Sequence, residues 1–413
     1  MLQGPLRSTS ARRLILAAAV GGCVLRLAFG LIYWNARPLT HDEREYLALA
    51  ANISAGRGFV YDPAVESGTG QRFGRAPGYP SFLAVIGAGR TDAGATPLVV
   101  KISQAIVGAA GVWLIGLLAL RSGGERAGIA AAGIAAVYPS LVSMPSYVLS
   151  ETLYSTMALG CALMLQDGLL SATGTRPEIG RTVSAGLLAG AGALVRPAML
   201  LFLPIAAVWL FATRRHRLAI AFVLAGLLPI VPWTIRNIRV YDRFVLIASE
   251  GGVTFWTGNH PLAVGDGDLA ANPEIKRAEI EFRRAHAGLT PEALEPLYYR
   301  DALAYITAHP VWWMSLLARK AFYLVVPMGP SYALHSTRYR AASAVPYLLL
   351  LPFAIAGARR FVRAQQPPAA LFLLAGSAVL MCLIFFPQER FRIPVIDPTL
   401  IVCASGLAGR PRL

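Results

Sequence analysis

The stretch "PLTHDEREYLALAANIS" sets Asp42, Glu43 and Glu45 within about one helical turn, directly after the first long apolar run of a 413-residue chain. Carboxylates in such a place have two uses. They can close a helix N-terminus, where backbone N–H groups stabilise an anion, or they can accept a proton from a reacting group. Thr40 or Asp42 can cap a helix whose apolar stripe runs through Tyr46, Leu47, Ala50 and Ile53, so the motif taken alone favours the cap. His41, next to Asp42, is suited to orient a base. The other polar stretches of the chain shift that balance. They are "RFGRAPGYP" (72–80), "YVLSET" (147–152), "VRP" (195–197), "PWTIRN" (232–237), "EGGVTFWTGNHP" (250–261) and "PQERFRIP" (387–394).

The elements that must position these residues are membrane spans. With 55% apolar and 15% charged residues and a mean hydropathy of +0.53, the composition is that of an all-α polytopic membrane protein. The expected spans are 12–34, 97–120, 126–142, 148–170, 181–195, 197–212, 218–235, 343–358, 368–386 and 393–409, about ten in all. Only three of the 38 cationic residues are Lys, and the net charge is +16. The Arg residues lie between apolar runs rather than in one block, which points to orientation signals and anionic lipid or phosphate partners, not nucleic acid. Cys23, Cys161, Cys382 and Cys403 lie inside apolar runs without metal-ligand spacing, so neither a disulfide framework nor a zinc site is implied.

With the N-terminus cytoplasmic, the basic loops 121–126, 171–181, 213–217 and 358–368 all face inward, as the positive-inside rule requires. Residues 1–413 then form a single membrane domain with two outer segments, 35–96 and 236–310, that carry short interfacial helices. Asn272 before Pro273 and Thr290 before Pro291 mark two helix starts in the second segment. The stretch 311–328 is expected to lie in the outer interface, anchored by Trp312 and Trp313, because a span there would invert the basic loop that follows. Arg319 and Lys320 also interrupt it; an ordinary span with snorkelling cations is the alternative. All six polar stretches fall on the outer face, while the inner loops are little more than basic connectors. An outward-facing site is expected.

In this order and on this side, D-E-x-x-Y, R-x-P-G-Y-P, Y-x-x-S-E, R-P, P-W-x-x-R-N, G-N-x-P and E-R-F-R-x-P resemble the bacterial branch of the GT-C glycosyltransferases. These are grouped around glycosyltransferase family 39 with the protein O-mannosyltransferases and the lipid A aminoarabinose transferase. The resemblance covers nearly the whole chain, roughly residues 12–409. It implies transfer of a sugar from a polyprenyl-phosphate donor to a hydroxyl of a glycan, lipid or other acceptor at the outer face of the cytoplasmic membrane. It also places the acidic catalytic residue of the first outer segment on Asp42, with Glu43 as its neighbour. A carboxylate there can take the acceptor proton, and attack opposite the phosphate inverts the anomeric centre. The departing phosphate needs fixed cations, for which the planar fork of Arg is suited. The outer-face candidates are Arg72, Arg75, Arg196, Arg236, Arg390 and Arg392. Arg75, Arg196 and Arg390 are preferred because each sits in a short Pro-flanked turn.

Glu151 can pair with an Arg, bind a metal or orient the acceptor. With Tyr46 and Asn259, in the D-E-x-x-Y and G-N-x-P motifs, and with His41, it completes the acceptor-side set. No cofactor is implied with certainty, and a divalent metal stays open. "GDGD" (265–268) has two carboxylates but lacks the further ligands of a calcium loop, and reads as a flexible turn. The alternative to an enzyme is a polytopic lipid or lipid-linked-sugar transporter or flippase. That reading calls for charges deep in several spans and for two related halves, neither of which the sequence displays.

Overall fold

The computed structural model describes residues 5–60, 74–89, 92–170, 175–364 and 367–409, predominantly as helix. The helices are α1 (Pro5–Ala28), α2 (His41–Ser54), α3 (Gly78–Val85), α4 (Leu98–Gly123), α5 (Glu125–Val137), α6 (Pro139–Ser143), α7 (Glu151–Leu169), α8 (Arg176–Val195), α9 (Phe202–Ala212) and α10 (His216–Tyr241). They continue as α11 (Gly251–Asn259), α12 (Pro273–Ala285), α13 (Pro291–Ala308), α14 (Pro310–Val325), α15 (Pro330–Ala333), α16 (Thr337–Arg363), α17 (Ala369–Ile384), α18 (Glu389–Arg392) and α19 (Ile396–Ser405). Among the described residues the sole β-type pairing is an isolated bridge between Pro38 and Ala95.

Four described helices are long and apolar enough to cross a membrane: Thr9–Tyr33, Leu98–Gly123, His216–Tyr241 and Thr337–Arg363. A fifth is reached if Glu125–Val137 and Pro139–Ser146, bent by 60° at their junction, make one span. This is fewer than the ten apolar runs of the sequence. The other runs all fold as helices, but α9, α17 and α19 are short. α7 and α8 carry polar residues such as Glu151, Gln166, Glu178 and Arg181 within their length.

The bundle is built from α1, α4, α5, α7, α8 and α10, with α16, α17 and α19 closing one side. Small residues set the spacing. A Cβ on Gly190 of α8 would collide with the carbonyl of Gly226 on α10, so those backbones meet without a side chain between them. Arg26, near the end of α1, is buried and donates to the carbonyls of Ala135 (3.2 Å) and Ala136 (3.3 Å) at the end of α5. It thus closes a helix C-terminus rather than lining a polar route.

A second apolar cluster gathers Trp256, Ile275, Leu294, Tyr298 and Leu316 from α11 to α14. α12 and α13 begin with Asn272 and Thr290 at the N-cap and proline at the first helical position, as their sequence pairs predict. Lys320 of α14 is fully buried and donates to Asn259 Oδ1 (3.0 Å) and to the Leu383 carbonyl (3.1 Å) at the C-terminal end of α17. The cation that interrupts the run 311–328 therefore completes a helix end.

Sidedness can be checked on exposed positions. Cysteines placed at Ala55 and Ala287 are expected to react with an impermeant maleimide in intact cells, and cysteines at Thr213 and Arg359 only after the membrane is opened. Reaction of the second pair from outside would invert the orientation.

Candidate active site

The polar residues of interest sit at helix ends on one side of the bundle. α1 arrives there and α2 starts; α7 starts where α8 and α10 finish; α17 arrives and α18 follows. At the entry to α2, Thr40 and Glu43 form a capping box: Glu43 Oε2 accepts from Thr40 N (2.8 Å) and from Thr40 Oγ1 (2.9 Å). Its other oxygen accepts from the Val148 backbone N–H at 2.8 Å, and the side chain is buried. Glu43 thus anchors α2 to the segment before α7. Asp42, one residue earlier, is left free to point elsewhere.

It points at two arginines. Asp42 Oδ1 accepts from Arg75 Nη2 at 2.7 Å and Oδ2 from Arg390 Nη1 at 2.8 Å. Burial alone would raise the Asp42 carboxyl, but the two guanidinium groups outweigh it and hold it far below the usual carboxylate range. Arg75 also binds Glu45 Oε2 through Nη2 (2.5 Å) and Nε (2.9 Å), and its Nε lies 3.3 Å from Glu250 Oε1. Its guanidinium stands 5.2 Å from the ring centre of Tyr46. Burial, with Glu45 and Asp42 close by, lifts the Glu250 carboxyl above its ordinary value despite Arg75. His41 is exposed and reaches Glu45 Oε1 at 3.5 Å rather than Asp42.

Arg196 pairs with Glu151 Oε1 at 2.9 Å and donates to Ser150 Oγ at 3.2 Å. The guanidinium groups of Arg196 and Arg390 both lie over the Phe391 ring, at 5.1 and 5.4 Å. This ring therefore joins the Arg196–Glu151 pair to the Asp42 cluster. Behind Arg390, Gln388 accepts from Arg390 Nε (2.8 Å) and donates to Asp268 Oδ2 (2.5 Å).

Of the residues singled out by sequence, Asp42, Arg75, Arg390, Arg196, Glu151 and Tyr46 come together. Others are engaged elsewhere. Arg236 donates to the Phe59 carbonyl and Tyr241 and stacks on Trp233. Arg392 forms a buried pair with Asp397 at 2.8 Å and lies 3.7 Å from the Tyr347 ring centre. Asn259 spends its amide on the Phe255 and Ile384 carbonyls and its oxygen on Trp313 and Lys320. Arg72 lies outside the described residues. Glu250, Gln388 and Phe391 were not singled out, and Glu45 was noted in the acidic run but given no role. Glu45 had a local signal, since it is three residues from Asp42 and so shares its helix face. "GDGD" is clasped rather than loose: Asp266 Oδ2 accepts from Ser331 N at 2.9 Å, and Asp268 binds Gln388.

Among the described residues no group of three or more His, Cys, Asp or Glu side chains is placed to hold a metal ion. Asp42, Glu45 and Glu250 converge on a guanidinium instead.

No family model and no curated protein matches the sequence. Solved structures do. The archaeal oligosaccharyltransferase AglB from Archaeoglobus fulgidus, in complex with an inhibitory peptide and a dolichol-phosphate, superposes with a TM-score of 0.61 at 17% identity. The alignment covers 98% of this chain and 50% of that one. The apo form of the Archaeoglobus enzyme gives 0.60 at 18% identity, over 96% and 50%. The likeness is one of fold: this chain shares the fold of the Archaeoglobus oligosaccharyltransferase over nearly its whole length. This chain spans about half the length of the oligosaccharyltransferase it matches. ArnT from Cupriavidus metallidurans bound to undecaprenyl phosphate aligns at 16% identity over 94% of this chain and 77% of that one, with a TM-score of 0.41 that is too loose to weigh.

Because both oxygens of Glu43 are spent on backbone and Thr40, Glu43→Ala is expected to destabilise the protein by about 2 kcal/mol, read as a lower heating midpoint in detergent. An unchanged midpoint would free Glu43 for another role.

Proposed function

We propose that the protein is a glycosyltransferase that moves a sugar from a polyprenyl-phosphate donor to a hydroxyl acceptor, with inversion, at the outer face of the cytoplasmic membrane. The observation that carries this reading is the Asp42 carboxylate held between Arg75 and Arg390, from the first and last outer segments, where the helix ends converge. A carboxylate that takes a proton beside cations that receive a leaving phosphate is what such a transfer requires. The shared fold supports it, and the oligosaccharyltransferase of that fold was solved with a dolichol-phosphate.

On this reading the chain is one membrane domain, residues 1–413, with about ten crossings. The shorter helices of the bundle complete them, and the segments 35–96 and 236–310, with 311–328, lie over the outer face among the lipid headgroups. The donor's phosphate approaches Arg390 and Arg196, beside Phe391, with Arg75 completing the cationic group. The acceptor hydroxyl approaches Asp42, and Tyr46, Glu151 and His41 border that position.

In the transfer the acceptor oxygen forms a bond to the anomeric carbon and its proton passes to Asp42. The bond from the anomeric carbon to the phosphate oxygen breaks, its electron pair leaving with the polyprenyl phosphate. The charge that develops on the phosphate is met by fixed guanidinium groups, so a second acid is not required. The proton on Asp42 then returns to solvent, because the paired carboxyl is a strong acid.

Asp42→Asn keeps shape and hydrogen bonding but removes the base, so turnover at saturating donor is expected to fall by about two to four orders of magnitude. Glu43→Gln should be much milder, since Glu43 is a helix anchor. Near-normal turnover in Asp42→Asn with collapse in Glu43→Gln would move the base by one residue; normal turnover in both would end the assignment. Separately, Arg390→Lys keeps the charge but loses the planar fork. It should raise the donor concentration for half-saturation about tenfold, equivalent to one charge-assisted hydrogen bond. Unchanged donor saturation would remove Arg390 from the phosphate site.

A further inference from the structure

Arg75 and Arg390 both hold Asp42, but their surroundings differ in a way that divides their labour. Arg75 is shared by three carboxylates: Asp42 at 2.7 Å, Glu45 at 2.5 Å and Glu250 at 3.3 Å. Its side chain is 16% exposed. Arg390 pairs with one carboxylate, Asp42 at 2.8 Å, and with a neutral partner, Gln388 at 2.8 Å; its side chain is 37% exposed. Withdrawing Arg75 would break three ion pairs, leaving Glu45 and Glu250 without its charge and Asp42 held by Arg390 alone, which in a half-buried site is costly. Withdrawing Arg390 breaks one. Arg390 also rests on the face of Phe391, a surface along which a guanidinium can turn while keeping its cation–π contact.

From this asymmetry, and resting on the function proposed above, we infer that the donor phosphate and the Asp42 carboxylate compete for Arg390, so that seating the donor frees one oxygen of Asp42 for the acceptor hydroxyl. Arg75 stays in place as a positioning residue that keeps Asp42 oriented and ionised. The resting pair has the opposite effect on chemistry: each oxygen of Asp42 already accepts from a guanidinium, and the two cations make it a weak base. Donor binding removes one of the two cations that depress it. Base and donor are thereby coupled through a single side chain, and by reciprocity the carboxylate weakens donor binding as much as the donor weakens the Asp42–Arg390 pair.

The test is a binding cycle with undecaprenyl monophosphate in detergent, which needs neither the sugar nor the acceptor. Asp42→Asn removes the competitor and is expected to bind the lipid phosphate about tenfold more tightly than wild type; Asp42→Glu, which keeps the competitor, should bind like wild type. In an Arg390→Gln background the Asp42→Asn gain should vanish. Should Asp42→Asn not purify as a monodisperse protein, Asp42→Ser serves in the same cycle. Equal or weaker binding by the neutral variant overturns the competition. A gain that survives Arg390→Gln overturns the choice of arginine. The donor reading fails separately, and this inference with it, if wild type and every variant bind the lipid phosphate no better than undecaprenol.

Discussion

One carboxylate bound by two guanidinium groups from opposite ends of the chain holds the site together. Arg75 and Arg390 are 315 residues apart, yet each meets a different oxygen of Asp42. An ion pair at this depth is stabilising only when its geometry is good and its remaining polar atoms are satisfied. Those conditions are met by neighbours: Glu45 and Glu250 on Arg75, Gln388 on Arg390, and aromatic faces under both. The site therefore exists only when the start of α2, Arg75, the start of α11 and α18 are all in register. Gln388 extends the same constraint to Asp268.

The remainder of the fold can be understood as what delivers those helix ends to one place. Glycine contacts between α8 and α10 let the backbones approach, and buried cations complete helix termini, Arg26 on α5 and Lys320 on α17. Both bind carbonyl oxygens, Lys320 also the Asn259 side chain, which separates their structural use from the charge-rich site. The capping box of Glu43 does the same work at the site itself, fixing the direction of α2 so that Asp42 emerges toward Arg75.

The helical class was legible in the sequence, and so were several of the residues that the structure brings together, because each rests on local or compositional signals. Basic loops, apolar runs, Asn-Pro and Thr-Pro helix starts and Pro-flanked arginines can all be read without knowing a single contact. What could not be read was partnership over distance. Arg75, Arg236 and Arg392 are chemically alike and all lie in Pro-containing polar motifs, yet Arg236 closes on Phe59, Trp233 and Tyr241, and Arg392 on Asp397 and Tyr347. Asn259 sits in a motif that suggested a substrate contact and is consumed by Lys320 and backbone. Glu43 and Asp42 are adjacent in sequence, and only three-dimensional closure assigns one to the cap and the other to the arginines. Length alone identifies fewer spans than there are apolar runs, because α9 and α17 are apolar but shorter than a bilayer demands of a straight helix.

The most direct test is a structure determined with a polyprenyl-phosphate sugar or undecaprenyl monophosphate bound. The account predicts phosphate oxygens within about 3 Å of Arg390, the Asp42–Arg390 contact opened, and Arg75 still on Asp42 and Glu45. A phosphate seated away from Arg390, with Asp42 still clamped by both arginines, would contradict it.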